Sequence, residues 1–391
     1  NPPYVETKHY KAAQPVMHQY LRDHYSAFEG KADLAVLFIE RCLALISGTG
    51  KVGFIIQRRW FKTEYGAAAR KLIDDGRNLY KLIDFKATDI FKGRITYVSI
   101  LILSKSPCAS VKYFYLADTA EQVKNLFENS FDDGAFGGYL ISEIPMQLHG
   151  GVWSYESHDV IQIKSRLTSA MGLLGNYQHL AVKDGIQALW KKAYHLTDVR
   201  FFDNRATGTN GFGEQVTVEA EILRAVIYNR VFYPFKRVVP DAYCIFPYHG
   251  ASTNVIKPNE LHQHYPLLNE YLNAHEALIR QNVRCRDDAW YAFTREHNHH
   301  LYMTNKIIIP MTAKDTIATY MPNCGLYMDN ANVWFITVEG ASDELMKAIS
   351  CVINSTVFSV MAKAEANPQA GGYYKFNKQF LIPVPFPCEQ I

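Results

Sequence analysis

Between Asp33 and Leu103 the apolar residues change period repeatedly, and that alternation narrows the fold more than any other feature of the chain. Residues 33–46 carry apolar side chains at helical spacing, and Ser47-Gly48-Thr49-Gly50 stops the helix. Lys51 to Ile56 is a short apolar run that reads as a buried strand. A second helix over Tyr65–Asp75 ends at Gly76, and strands follow over Leu79–Phe85 and Tyr97–Leu103, the latter rich in β-branched residues. Helix, strand, helix, strand, loop, strand is the rhythm of an open α/β sheet. The last two strands, joined by a loop and no helix, predict an antiparallel hairpin at the sheet edge.

Ser104–Ser110, with Pro107, predicts a domain boundary, so residues 1–108 and 109–391 read as separate domains. The second is mixed α/β with irregular connections. It carries a short helix over 118–130, a glycine-rich loop over 131–138 and a helix over Ile161–Leu174. Apolar runs follow at Tyr243–Tyr248, Lys306–Pro310 and Val333–Val338, then a strong helix over Ser342–Ser355. A length of 391 residues gives both domains room for proper cores.

The chain opens on Asn1-Pro2-Pro3-Tyr4. An Asn amide accepts a hydrogen bond from an amino group and donates one to a ring nitrogen. Two prolines fix φ and donate no N–H, which leaves the neighbouring carbonyls as free acceptors. The Tyr4 ring offers a flat apolar surface for stacking on a planar group. Together they describe a socket for the exocyclic amine of a base, or for an amide.

Charge is unevenly spread. Residues 1–108 hold 17 Lys and Arg against 10 Asp and Glu, a balance of +7, while the remainder holds 24 against 28, a balance of −4. A basic first segment fits a polyanionic partner. The seven cysteines form no C-x-x-C pair, which argues against a zinc site and a disulfide framework and favours a reducing cytosol. His297, His299 and His300 lack a carboxylate or cysteine at matching spacing and read as a surface loop, so no metal is expected. No run of 18 apolar residues occurs, and no leader precedes Asn1; a cytoplasmic protein without a membrane partner is the expectation.

The succession from Asn-Pro-Pro-Tyr through residues 31–40, 50–56, 65–71, 82–91 and 97–103 resembles the second half of the catalytic domain of gamma-class DNA adenine methyltransferases. The remainder resembles the target-recognition domain of the same enzymes, especially the type IIG restriction-modification group. Phe246-Pro-Tyr248, Tyr265-Pro266, Trp290-Tyr291, Lys306 to Pro310, Gly371-Gly-Tyr373 and Ile382 to Pro385 carry that second likeness. Where the family often shows Gly-Ile-x-Thr-Gly, this chain has Gly185-Ile-Gln-Ala-Leu189. The implied fold is the C-terminal half of a Rossmann-like methyltransferase sheet followed by a mixed α/β target-recognition domain.

The resemblance implies methyl transfer from S-adenosylmethionine to the amine of an adenine flipped out of double-stranded DNA. Asn1 and the Pro2 carbonyl would accept the amine hydrogens, and Tyr4 and Phe91 would stack on the base. Asp33, at a helix start, has two readings: it lines the cofactor side, or it satisfies its own first turn. Arg58, Arg59 and Trp60, following a strand on the side where ligands gather, read as a phosphate-contacting loop. Lys191 with Lys192, and Lys375 with Lys378 among tyrosines, mix basic and aromatic residues as nucleic-acid contacts do. In this family the cofactor is bound mainly by a Gly-rich motif and an acidic residue upstream of the tetrapeptide. The chain alone is therefore expected to be inactive and to need the preceding half of the same protein. Any nuclease domain would lie upstream too. The alternatives are a non-enzymatic DNA-binding specificity module and a methyltransferase for RNA or for a protein amide.

Overall fold

The computed structural model describes residues 1–85, 97–115, 140–145, 151–228, 233–287, 289–323, 325–329 and 332–388. Phe91, the helix expected over 118–130 and the loop over 131–138 lie outside them. The chain forms two compact units. Asn1–Arg166 with Lys363–Tyr374 make the first, and Leu167–Ala362 with Lys375–Ile391 make the second.

In the first unit, helices α1 (Thr7–Ala13) and α2 (Pro15–His24) precede α3 (Leu34–Leu45), strand β1 (Lys51–Gln57) and α4 (Ala67–Asp75). Strands β2 (Leu79–Asp84), β3 (Val98–Ser104), β4 (Ser110–Tyr115) and β5 (Leu140–Pro145) complete a sheet of order β1-β3-β2-β4-β5. The expected β2–β3 hairpin forms and is antiparallel, but it is interior to the sheet. β4 adds to β2 in parallel, and β5 follows it antiparallel, so the edges are β1 and β5. Ser104–Ser110 is therefore the connection between two strands of one sheet, and the first unit continues to Arg166 rather than ending at 108.

Strand β1 also differs from its expected burial. Phe54 and Ile56 are buried while Ile55 between them is exposed, the alternation of an edge strand with one face on the core. That core is built from Ile56, Leu82, Leu101, Leu103 and Tyr113, with Trp60, Phe61 and Trp153 packed ring to ring. Gly66 is required by this packing. A Cβ there would stand 2.0 Å from the carbonyl oxygen of Trp60.

Two buried cations fix the segment after β1. The Arg58 guanidinium lies 3.0 Å from the Asp84 carboxylate at the end of β2, with Arg58 6% and Asp84 1% exposed. Ser99 on β3 donates to the same carboxylate. Lys62 Nζ donates to the carbonyls of Ala364, Glu365 and Ala366 at 2.6, 2.8 and 3.0 Å. It thus satisfies orphan carbonyls at the end of the helix Thr356–Glu365, where a cation also meets the negative end of the helix dipole.

The second unit holds two sheets. One is six-stranded, of order β15-β10-β11-β7-β8-β9, and the other four-stranded, of order β14-β12-β16-β6. Their strands are β6 (Leu180–Asp184), β7 (His195–Phe202), β8 (Arg205–Thr209), β9 (Gln215–Glu219), β10 (Leu223–Ile227) and β11 (Ala242–Ile245). Next come β12 (Lys306–Pro310), β14 (Thr319–Met321), β15 (Tyr327–Met328) and β16 (Val333–Val338), while the two-residue β13 (Thr312–Ala313) belongs to neither sheet. The apolar runs 306–310 and 333–338 thus fold as strands, the run 243–248 does so only as far as Ile245, and the helix Asp343–Ile353 starts on the Ser342 cap.

Many of the aromatic residues of this unit are core. Phe246, Tyr248, Phe293 and Tyr327 pack around His299, and the tyrosine hydroxyls find backbone partners, as Tyr194 does on Tyr291 and Tyr291 on Ile256. His299 corrects the surface-loop reading. It is buried, its Nδ1 lies 3.0 Å from the Ser252 carbonyl, and burial pushes its pKa down. Among the described residues no cluster of metal-ligating side chains forms, and no single helix is long and apolar enough to cross a membrane.

Two outcomes are expected from these contacts. Arg58→Met removes the cation 3.0 Å from the buried Asp84 carboxylate, and should cost about 3–5 kcal/mol in chemical denaturation. Adding Asp84→Leu should return most of that loss. The second concerns His195, which is 4% exposed, with neither ring nitrogen hydrogen-bonded among the described residues. Desolvation first, then the nearby Lys191, holds its pKa at about 4. The unfolded chain takes up this proton near pH 6.5 and the folded chain only near 4, so stability falls as pH drops through that window. The loss should approach about 3 kcal/mol, and His195→Phe should flatten the pH dependence measured by thermal unfolding.

Candidate functional site

The opening tetrapeptide is tied to the first unit by hydrogen bonds that follow it along the chain. The Tyr4 hydroxyl donates to the carbonyl of Ile55 at 2.6 Å, on edge strand β1. Leu34 N–H donates to the carbonyl of Val5 at 3.2 Å, and Thr7 and Tyr10 both donate to the carbonyl of Ala32. The segment is thereby pinned to the start of α3 on one side and to β1 on the other. Asn1 and Pro3 are exposed, Pro2 is buried and Tyr4 is half-buried. Burial, then the Asp33 charge, raises the pKa of the Tyr4 phenol, so it remains a neutral donor at physiological pH.

Beside Tyr4 opens a cleft of about 820 Å³. Its aromatic wall is Tyr4, Phe28 and Tyr65, and its charged rim has Lys8, Lys11, Arg22, Lys31 and Arg59 against Glu6, Glu29 and Asp33. Five cations thus face three carboxylates, and the basic excess of the first 108 residues is partly gathered here. Glu6 is held below the usual carboxylate range by Lys8 at 2.8 Å and, more weakly, by Arg59 at 3.7 Å.

Asp33 is the cap of α3, as one of its two readings had it, and it also lines this cleft. Its Oδ1 accepts from Ala35 N–H at 3.0 Å. Burial raises its pKa, and the backbone hydrogen bonds from Ala35 and Val5 offset part of that rise. The loop after β1 is held by Arg70, which donates to the carbonyls of Trp60, Thr63 and Gly151. Its own pKa is lowered, chiefly by desolvation.

The structure brings together Tyr4, Asp33 and Arg59 at one cleft. Asn1 and Pro2 precede its wall without lining it. The phosphate-contacting expectation for residues 58–60 needs correction at two of three positions. Trp60 is 2% exposed in the core and Arg58 is paired inside with Asp84, which leaves Arg59 facing outward. In the second unit Lys191 pairs with the fully buried Asp329 at 2.6 Å. Lys192 and Lys378 are exposed, and Lys375 is half-buried. Sequence reading missed Phe28 and Tyr65. They stand far apart in the chain, and nothing in their spacing signals a shared wall.

Residues 1–91 match the family model described as Eco57I restriction-modification methylase. The chain is 25% identical over 321 residues to the type II restriction enzyme and methyltransferase RM.Eco57I of Escherichia coli, across 75% of this chain and 30% of that protein. It is 24% identical over 397 residues to the type II methyltransferase M.PaeR7I of Pseudomonas aeruginosa, across 99% of this chain and 63% of that protein. Among solved structures, the type IIL restriction-modification enzyme MmeI in complex with DNA shares the fold, with a TM-score of 0.55 at 10% identity. That likeness spans 90% of this chain and 41% of MmeI. The chain covers less than two thirds of each of these relatives. At these low identities, the chain is similar to type II restriction-modification methylases.

Proposed function

We propose that the chain is the C-terminal part of a DNA methyltransferase that acts on the exocyclic amine of adenine, in a restriction-modification or phage-defence enzyme. The observation that carries this reading is Asn1-Pro2-Pro3-Tyr4 pinned at the lip of an aromatic and basic cleft wide enough for a nucleoside. A target amine is a poor nucleophile because its lone pair is delocalised into the ring. The Asn1 side-chain oxygen and the Pro2 carbonyl would accept its two hydrogens and favour a tetrahedral nitrogen. That stabilisation grows towards the transition state, so it accelerates the step rather than merely holding substrate. Stacking on Tyr4 is worth roughly 1–3 kcal/mol, comparable to the few kcal/mol needed to extrude a base, so the two nearly balance. The amine proton leaves to solvent after transfer, and no general base is needed first.

S-adenosylmethionine supplies the electrophilic methyl of a sulfonium when bound. The cleft fits such a group chemically: a carboxylate, Asp33, stands with three aromatic rings, a combination that favours a cation and a flat nucleoside. Double-stranded DNA is the proposed partner, its phosphates met by Arg59 and the rim lysines, with Lys192 and Lys378 as candidates on the second unit. Strand β1 stands at the sheet edge, and we assign that edge to the preceding part of the same protein.

Asn1→Ala in the full-length protein should lower methyl incorporation into DNA by roughly 10²–10³-fold, with duplex affinity within about twofold of the parent. Radiolabelled methyl transfer alongside fluorescence anisotropy reads both. Undiminished methylation of adenine by the variant would sink the assignment of the tetrapeptide. A parent that binds DNA and transfers no methyl to it would favour a specificity module instead.

A further inference from the structure

One wall of the cleft in the first unit is a loop whose principal anchor lies outside the cleft. Residues 25–33 join α2 to α3 without helix or strand, and Phe28, Glu29, Gly30, Lys31 and Asp33 of this segment line the cavity. Gly30 sits at φ 53°, with open space where a Cβ would stand. The loop therefore reverses at its freest residue, and its shape has to be imposed by contacts elsewhere.

Three sets of hydrogen bonds impose it. At the far end the Thr7 and Tyr10 hydroxyls donate to the Ala32 carbonyl at 2.6 and 2.8 Å, and Asp33 caps α3. In the middle the Glu29 carboxylate accepts from Ala68 N–H at 3.0 Å, in the first turn of α4. At the near end stands Glu40, on α3. One of its carboxylate oxygens accepts from Ala27 N–H at 2.8 Å. The other accepts from the N–H and the hydroxyl of Ser26, each at 3.1 Å. Glu40 is half-buried, and among the described residues no cation pairs with it. All three bonds go to two adjacent loop residues, and a carboxylate acceptor makes each of them stronger than a neutral one.

These bonds set the place of Phe28. Ala27 is fully buried, and Phe28 follows it directly, its N–H donating to the Tyr25 carbonyl at 3.2 Å. The Phe28 ring meets the His18 ring edge-on, 5.4 Å between centroids, and both line the cleft. A flat ligand that stacks on a ring already fixed by folding loses little further entropy. A loose loop would have to be ordered by the ligand itself. Glu40 does not line the cleft, so any influence it has on a ligand there passes through the loop.

We propose that Glu40 is a positioning residue for nucleoside binding: by clasping Ser26 and Ala27 it holds Phe28 where an adenine ring can stack. The inference rests on the methyl-transfer reading above and adds to it a residue that never meets substrate. The adenine has two sources, the cofactor and the target nucleotide, and kinetics separate them.

The test uses the full-length protein with radiolabelled S-adenosylmethionine and long unmethylated DNA, which contains every short target sequence. Glu40→Ala keeps a good helix former in α3, so the variant should fold. It should lose roughly 10-fold in kcat/KM, the scale of one base–aromatic stack. A raised KM for S-adenosylmethionine with the DNA parameters unchanged puts the cofactor ring on Phe28. A lowered kcat, or a raised KM for DNA, at an unchanged KM for the cofactor puts the target base there. Either result supports the clasp. Glu40→Gln keeps one acceptor oxygen, should fall between parent and Glu40→Ala, and carries the same comparison if Glu40→Ala fails to fold. The deciding measurement is Phe28→Ala, alone and combined with the Glu40 variant. If Glu40 acts through Phe28, the double variant matches Phe28→Ala within about twofold. Additive losses, or a Glu40 variant within twofold of the parent, overturn the inference and leave the methyl-transfer reading standing. A parent that transfers no methyl to DNA overturns both.

Discussion

The hydrogen bond from the Tyr4 hydroxyl to the Ile55 carbonyl is the contact on which the geometry of the first unit's cleft depends. It lets a tetrapeptide with little secondary structure of its own share the rigidity of a strand. The companion bonds from Leu34, Thr7 and Tyr10 do the same on the α3 side. Two stiff prolines directly before these anchors leave few backbone torsions to vary, so the anchor at Tyr4 constrains more of the segment than it would in an ordinary loop. Preorganisation of this kind costs nothing when a ligand binds, because the entropy is lost on folding. Asp33 joins the two sides: as the cap of α3 it is fixed by backbone N–H groups, and it presents its half-buried carboxylate to the same cleft as Tyr4.

Much of the sheet was legible from period alone. Residues 51–56, 79–85 and 97–103 became strands because β-branched and aromatic residues fit a pleated, half-buried surface, and the helix at 34–45 followed from its spacing and its cap. Strand order was not legible. Nothing in β4 announces that it pairs with β2 in parallel, since that contact belongs to residues some thirty positions apart. Hence a proline-containing connection looked like the end of a domain when it joined two strands of one sheet. Local chemistry marks where a chain turns, and it does not say whether the next strand returns to the same layer.

The run Arg58-Arg59-Trp60 shows the same limit at the level of single side chains. A basic pair beside a tryptophan reads as a nucleic-acid loop, yet Arg58 turns inward because Asp84 waits at the end of a neighbouring strand. Trp60 joins Trp153, which lies far along the chain. Taking such an ion pair out of water costs several kcal/mol per charge, so it persists only with good geometry and further hydrogen bonds. Ser99 supplies one of these. His299 was misread for a related reason: its neighbours His297 and His300 suggested a polar loop, while the rings that enclose it come from residues 246, 248, 293 and 327.

The charges left outside behave differently from those inside, and that difference bears on function. The pairs of Glu6 with Lys8 and Arg59 are solvent-exposed, where an ion pair contributes about 0–1 kcal/mol. A phosphate carries charge that neither cation loses much by accepting, so these side chains are free to exchange partners. Arg58 and Lys62, a few residues away, are not: each holds buried acceptors whose desolvation would be left uncompensated. Within residues 58–62, then, alternate cations are committed to the fold and to the surface, and burial alone sorts them. The same rule applies at Lys191, committed to Asp329, beside exposed Lys192. A basic residue near a cleft gains meaning for DNA only after its buried acceptors have been counted.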